Sequence, residues 1–118
     1  MQRDHRVYLN DMLAAISKIE RYVGDLLFEE FTQDEMRIDA VVRNLEVIGE
    51  AAKHMPEWVR RKYPSIEWKK ISGLRDILIH EYFGVDLDIL WDIVKNEIPD
   101  LKRGMRKMLE SEKGRSGE

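Results

Sequence analysis

Arg75 and His80 stand five residues apart in the run GLRDILIHEYFGVD, with Asp76 between them and Tyr82 two residues beyond. These types suit the cleavage of an RNA phosphodiester without a metal. Histidine moves protons near neutral pH, and arginine holds a phosphoryl group and the charge that develops on it. The 2′-hydroxyl of the substrate is then the nucleophile. On a helix, Asp76 lies one turn before His80, where its carboxylate can orient the imidazole and favour the charged form. The same residues also fit a plainer role, in which Arg75 and Asp76 make surface ion pairs, His80 is a cation at a helix end and Tyr82 is a core aromatic.

The element that must carry them is a helix opening after Ser65 and running through Gly73 to about Tyr82, with Gly84 as its stop. At 3.6 residues per turn, Ile71, Leu74 and Leu78 form one apolar stripe. Trp68, Arg75, Ile79 and Tyr82 form a second, and Lys69, Gly73, Asp76 and His80 a third. A helix apolar on two sides needs two partners, the core of its own bundle and a second copy of the chain, so the pattern points to a homodimer. Arg75 and His80 are about 140° apart around an ideal helix and cannot converge on one atom from a straight rod. They can meet across a two-fold axis, or within one chain if the helix unwinds before Gly84.

Around this helix the periodicity predicts others. Leu9, Met12, Leu13, Ile16, Ile19, Val23 and Leu26 recur at three- and four-residue spacing over a first helix from about Arg6 to Leu27. Phe31-Thr32-Gln33-Asp34 breaks that pattern and offers Thr32 or Asp34 as the cap of a second helix, whose stripe is Val41, Leu45, Ile48, Ala52 and Met55. Gly49 and the alanines there suggest close helix approach. A brief third helix spans Glu57 to Lys62, begun after Pro56 and closed by Tyr63-Pro64. Asp86 caps a last helix bearing Leu87, Leu90, Trp91, Val94, Ile98, Leu101 and Met105, kinked by Pro99, whose ring clashes with the carbonyl of Lys95. No strand is expected. The fold class is all-α, an up-and-down bundle of four long helices plus one short one, with residues 1–110 as a single domain and 111–118 as a flexible tail.

Composition agrees with a helical bundle: of 118 residues, 36% are charged and 43% hydrophobic, with three prolines and no cysteine. The missing cysteine removes disulfides, thiolate nucleophiles and Cys-based zinc sites, and fits a reducing cytoplasm. The opening MQRDHRVYLN does not read as a signal peptide, and no long uncharged apolar run follows it, so a cytoplasmic chain with no membrane partner is expected. A net charge of −3 argues against a general nucleic-acid binder, so any RNA contact is local. His5 and His54 read as surface histidines, and Asp86-x-Asp88 as a helix cap, so no metal or cofactor is expected. Asn44 falls beside the Val41–Ile48 stripe and needs a hydrogen-bond partner, either to brace the cleft or to join two helices.

GLRDILIHEYFGVD resembles the Arg-x4-His-x-Tyr signature of HepT-like toxins in the HEPN superfamily. RNLEVIGEAAKHMP, RRKYPSIEWKKISGLR and DLDILWDIVKNEIPDLK follow the family's pattern in the family's order. The resemblance implies an α-helical homodimer in which the motifs of both subunits meet in a cleft acting as a metal-independent endoribonuclease, with Arg75 and His80 as the catalytic pair. It also implies a partner, a minimal nucleotidyltransferase antitoxin that transfers AMP to Tyr82. Bulky anionic groups placed beside a cationic cleft block RNA by occupancy and by charge. The alternative is a non-catalytic HEPN subunit that docks a nucleotidyltransferase or binds nucleotide, with Arg75 holding phosphate. Growth arrest by the chain alone, lost in Arg75→Ala and His80→Ala, separates the two. The supporting roles of Asp76 and Asn44 are left open.

Overall fold

The computed structural model describes residues 4–80 and 84–116, less the side chains of Arg75, residues 78–80 and residues 114–116. Three long rods carry it. Helix α1 (His5–Val23) opens on Asp4, whose carboxylate accepts from the Arg6 amide and is held below the usual carboxylate range by its hydrogen bonds to Arg6. Of its predicted apolar stripe Leu9, Met12, Ile16, Ile19 and Val23 are buried, whereas Leu13 and Leu26 are only partly so. The helix ends at Val23, short of the expected Leu27, where the Gly24 amide closes onto the Glu20 carbonyl. A five-residue helix α2 (Phe28–Thr32) follows. Phe31, read from sequence as part of a break, is a core residue there and lies against Trp91.

Helix α3 (Glu35–His54) is capped by Asp34, which accepts from the Arg37 amide. All five stripe positions from Val41 to Met55 are buried. Arg37 at its start donates to the Tyr22 carbonyl at the end of α1, while His54 at its end stacks on Tyr8 at the start of α1. The two rods are therefore antiparallel. Helix α4 (Glu57–Lys62) begins after Pro56, as expected.

The predicted fourth long helix is replaced by two five-residue turns, α5 (Trp68–Ser72) and α6 (Leu74–Leu78), jointed at Gly73. Ser65 does not cap it; Glu67 precedes the first turn without a side-chain bond. Two-residue strands β1 (Ile79–His80) and β2 (Gly84–Val85) then pair antiparallel, against the expectation of no strand. Among the described residues the bundle thus has three long rods where four were expected.

The third rod is a single run. Helix α7 (Leu87–Asp92), capped by Asp86, passes through a π turn (Ile93–Glu97) into α8 (Ile98–Ser116). The wide turn, in which the Ile98 amide reaches back to the Ile93 carbonyl, absorbs the proline conflict expected as a kink at Pro99. The rod also continues past Ser111, where a frayed tail was expected. The reason is Glu112, 9% exposed, whose carboxylate accepts from the Tyr63 hydroxyl at 2.6 Å and meets Lys62 and His5. His5, expected at the surface, is instead partly buried against Trp58 and Glu112. Among the described residues no helix is long and apolar enough to cross a membrane.

Candidate active site

The motif is held against α3 at its root. A Cβ on Gly49 would lie 3.3 Å from the Ile71 carbonyl oxygen and 3.5 Å from that of Ser72, so only glycine lets α5 seat this closely without displacement. Trp68 and Ile71 fill the core beneath, and the Trp68 indole donates to the Tyr63 carbonyl. Lys70 at 2.7 Å from Glu97 ties α5 to the π turn, and that hydrogen bond raises the ammonium's pKa, keeping it charged. A chain segment pinned on both sides is a suitable base for a reacting pair.

From that base α6 starts with the Asp76 and Ile77 amides both donating to the Gly73 carbonyl. Arg75 is its second residue, and Leu74 is buried. The helix ends at Leu78, and the chain becomes extended: Ile79 pairs with Val85 and His80 with Gly84. Gly84 has φ 74°, a conformation that glycine takes at no steric cost. Asp86 then turns the chain into α7 by accepting from the Ile89 amide at 3.1 Å.

His80 is therefore a strand residue and Arg75 a helix residue. The 140° separation of an ideal helix does not apply, and local unwinding before Gly84 is present in the backbone. Asp76 loses its helical one-turn relation to His80 for the same reason, and it is exposed. The side chains of Arg75 and His80, and all of Tyr82, lie outside the described residues. Asn44 is 8% exposed, and its amide nitrogen donates to the Ala40 carbonyl one turn earlier in its own helix at 2.8 Å. Among the described residues it bonds neither another helix nor the motif.

A groove of about 560 Å³ opens along α3 beside the root of the motif. Gly49 and Ser72 form its wall there; Arg43, Glu46, Glu50 and Lys53 line α3, and Tyr8 and Asp11 line α1. At its far end the Tyr8 and His54 rings stack with centroids 5.7 Å apart. The spacing of residues offered no signal for this pair, because the two belong to different helices and only antiparallel packing brings them together. Among the described residues no three His, Cys, Asp or Glu side chains gather as a metal group.

Residues 12–108 match the family described as HepT-like, ribonuclease HepT-like. The chain is 44% identical over 108 residues to a protein of Thermococcus cleftensis named "Probable ribonuclease HepT", covering 92% of this chain and 98% of that one. It is 44% identical over 110 residues to a Methanocaldococcus jannaschii protein named "Gamma-glutamylcyclotransferase and putative RNase MJ0434", covering 93% of this chain and only 50% of that longer one. No solved structure matches the chain. With the family match spanning most of its length and a near full-length relative at this identity, the chain belongs to the HepT-like ribonuclease family.

Proposed function

We propose that this chain is the toxin of a toxin–antitoxin pair, a homodimeric endoribonuclease that cleaves cellular RNA and is silenced when a minimal nucleotidyltransferase transfers AMP from ATP to Tyr82, releasing pyrophosphate. Family membership supports the ribonuclease reading, and one structural observation carries it to these residues. The backbone changes from helix to strand between Leu78 and Ile79, so the 140° separation that a continuous helix imposes on positions 75 and 80 does not apply.

In this mechanism the substrate's 2′-oxygen attacks the adjacent phosphorus while His80 takes its proton. The bond from phosphorus to the 5′-oxygen breaks, and the leaving oxygen is protonated by the same imidazole or by water. The products are a 2′,3′-cyclic phosphate and a 5′-hydroxyl. Arg75 holds the non-bridging oxygens as charge develops on them. The reaction draws on one proton carrier and one fixed cation, so cleavage is expected to survive EDTA. Loss of activity on chelation, restored by magnesium, overturns this mechanism.

A further inference from the structure

We infer that the groove between α1 and α3 binds single-stranded RNA beside the cleaved bond, with the outer face of His54, backed by Tyr8, stacking a base and with Arg43 and Lys53 contacting phosphates. The inference rests on the ribonuclease reading and adds a substrate-binding site to it. Four observations carry it. The groove's wall at Ser72 is three residues from Arg75, so a strand lying in it reaches the motif. The groove runs along α3 from Arg43 to His54, on the order of 16 Å at 1.5 Å per residue, and its volume falls in the range of small-molecule sites.

The third observation is the aromatic pair. The Tyr8 and His54 rings are 26° from parallel, and the His54 Nδ1–H donates to the Glu50 carbonyl at 2.9 Å, which fixes the ring's orientation. The His54 side chain is 54% exposed, so a fixed aromatic surface faces solvent at the groove's end. Stacking on such a surface tolerates any base, because every base has a π-face. The fourth is charge. Arg43 and Lys53 are exposed on α3 and line the groove together with the carboxylates Asp11, Glu46 and Glu50, of which Glu50 lies 3.7 Å from His54 Nδ1. With three carboxylates beside its two cations the groove is no general polyanion site, and its aromatic wall suits a short stretch of single strand rather than a duplex, whose bases are not available for stacking. It also explains how a chain of net charge −3 takes RNA locally.

The test uses the full chain carrying His80→Ala, to keep RNA intact, and short single-stranded RNAs with 2-aminopurine at successive positions. One position should be quenched on binding, and adding His54→Ala should abolish that quenching and weaken binding roughly tenfold, while His54→Phe restores both. Arg43→Ala or Lys53→Ala should weaken binding to all sequences alike and reduce the slope of log affinity against log salt by about 0.7. Unchanged quenching and affinity in His54→Ala, with helix content intact by circular dichroism, overturns the inference. The ribonuclease reading is scored separately on chains with His80 intact. RNA cleaved by His54→Ala with an unchanged KM removes the base platform and leaves the nuclease. RNA stacked on His54 but never cleaved leaves the platform and removes the nuclease, and RNA neither bound nor cleaved removes both.

Discussion

At the residue scale, the proposed reaction is divided between Arg75 as a fixed charge and His80 as a proton carrier, and it needs both. Replacing Arg75 with Ala removes a charge stabiliser whose loss costs on the order of 3 kcal/mol at the transition state, and His80→Ala removes the proton carrier at a comparable cost. Initial-rate measurements on a defined RNA should therefore fall more than a hundredfold for either variant. A fall of only a few-fold would place the chemistry on other groups. Tyr82→Phe deletes a single hydroxyl and should keep most of the ribonuclease activity while gaining no adenylyl group from antitoxin and ATP, read by intact mass. Continued modification would move the acceptor to another tyrosine. Residue types and spacing show only that Arg75 and His80 could do this chemistry, and the family resemblance is what singles them out; the Asp76–His80 relation does not hold, because it assumed a helix that instead ends at Leu78.

At the element scale, one device seats the motif and another ties the ends of the helices together. Gly49 lets α5 approach α3 to within van der Waals contact of backbone carbonyls. Gly49→Val sets a branched side chain against atoms that cannot rotate away, and should destabilise the fold by about 2 kcal/mol in chemical denaturation. A neutral result would mean that α5 is free to shift. The second device is Glu112, which ties α8 to α4 and to the start of α1. The Tyr63 hydroxyl, with His5 and Lys62, holds its pKa below the ordinary value of 4.5 despite burial. A depressed carboxylate contributes stability that is fully present above 4.5 and is lost as pH falls through the lower folded value.

Glu112→Gln should therefore cost about 2 kcal/mol at pH 7, as for a hydrogen bond to a charged group, and progressively less as pH falls below the ordinary carboxylate range. A deficit that stays constant down to pH 3 would assign the loss to packing. The long amphipathic rods and their caps at Asp34 and Asp86 were legible because each follows from local periodicity and side-chain chemistry. The buried role of Glu112 was not, since a polar residue near a chain end reads as frayed until a tyrosine forty-nine positions earlier is brought to it. The jointed α5 and α6 were missed for a related reason: their apolar spacing continues through Gly73, and only packing against α3 and α7 decides where the helix stops.

At the scale of the whole molecule, the question is what covers the outer side of α6. Trp68, Ile71 and Leu74 are spent on the monomer's own core, whereas Ile77 remains 45% exposed two residues after Arg75 and beside the exposed Asp76. An isoleucine left in water at the motif fits a surface that a second copy covers, so the chain should scatter light with twice the 14.0 kDa mass of a monomer at micromolar concentration. Ile77→Glu should shift that mass towards the monomer. A wild-type chain found only as monomer would sink the dimer and any cleft shared between subunits. Given a dimer, mixing two dead variants tells which chain supplies each catalytic group. If Arg75 of one subunit works with His80 of the other, a heterodimer of Arg75→Ala and His80→Ala keeps one intact site of its two. Random subunit exchange then restores about a quarter of wild-type activity, because half the dimers are mixed and half the sites in them are whole. If both groups come from one chain, every site lacks a member and mixing restores nothing. The helix-to-strand break between Leu78 and Ile79 provides the within-chain route, so the expected result is no recovery after exchange under conditions where mixed dimers are seen by mass. Recovery to a quarter would assign the pair to opposite subunits and make the break a device for orienting His80 towards the partner.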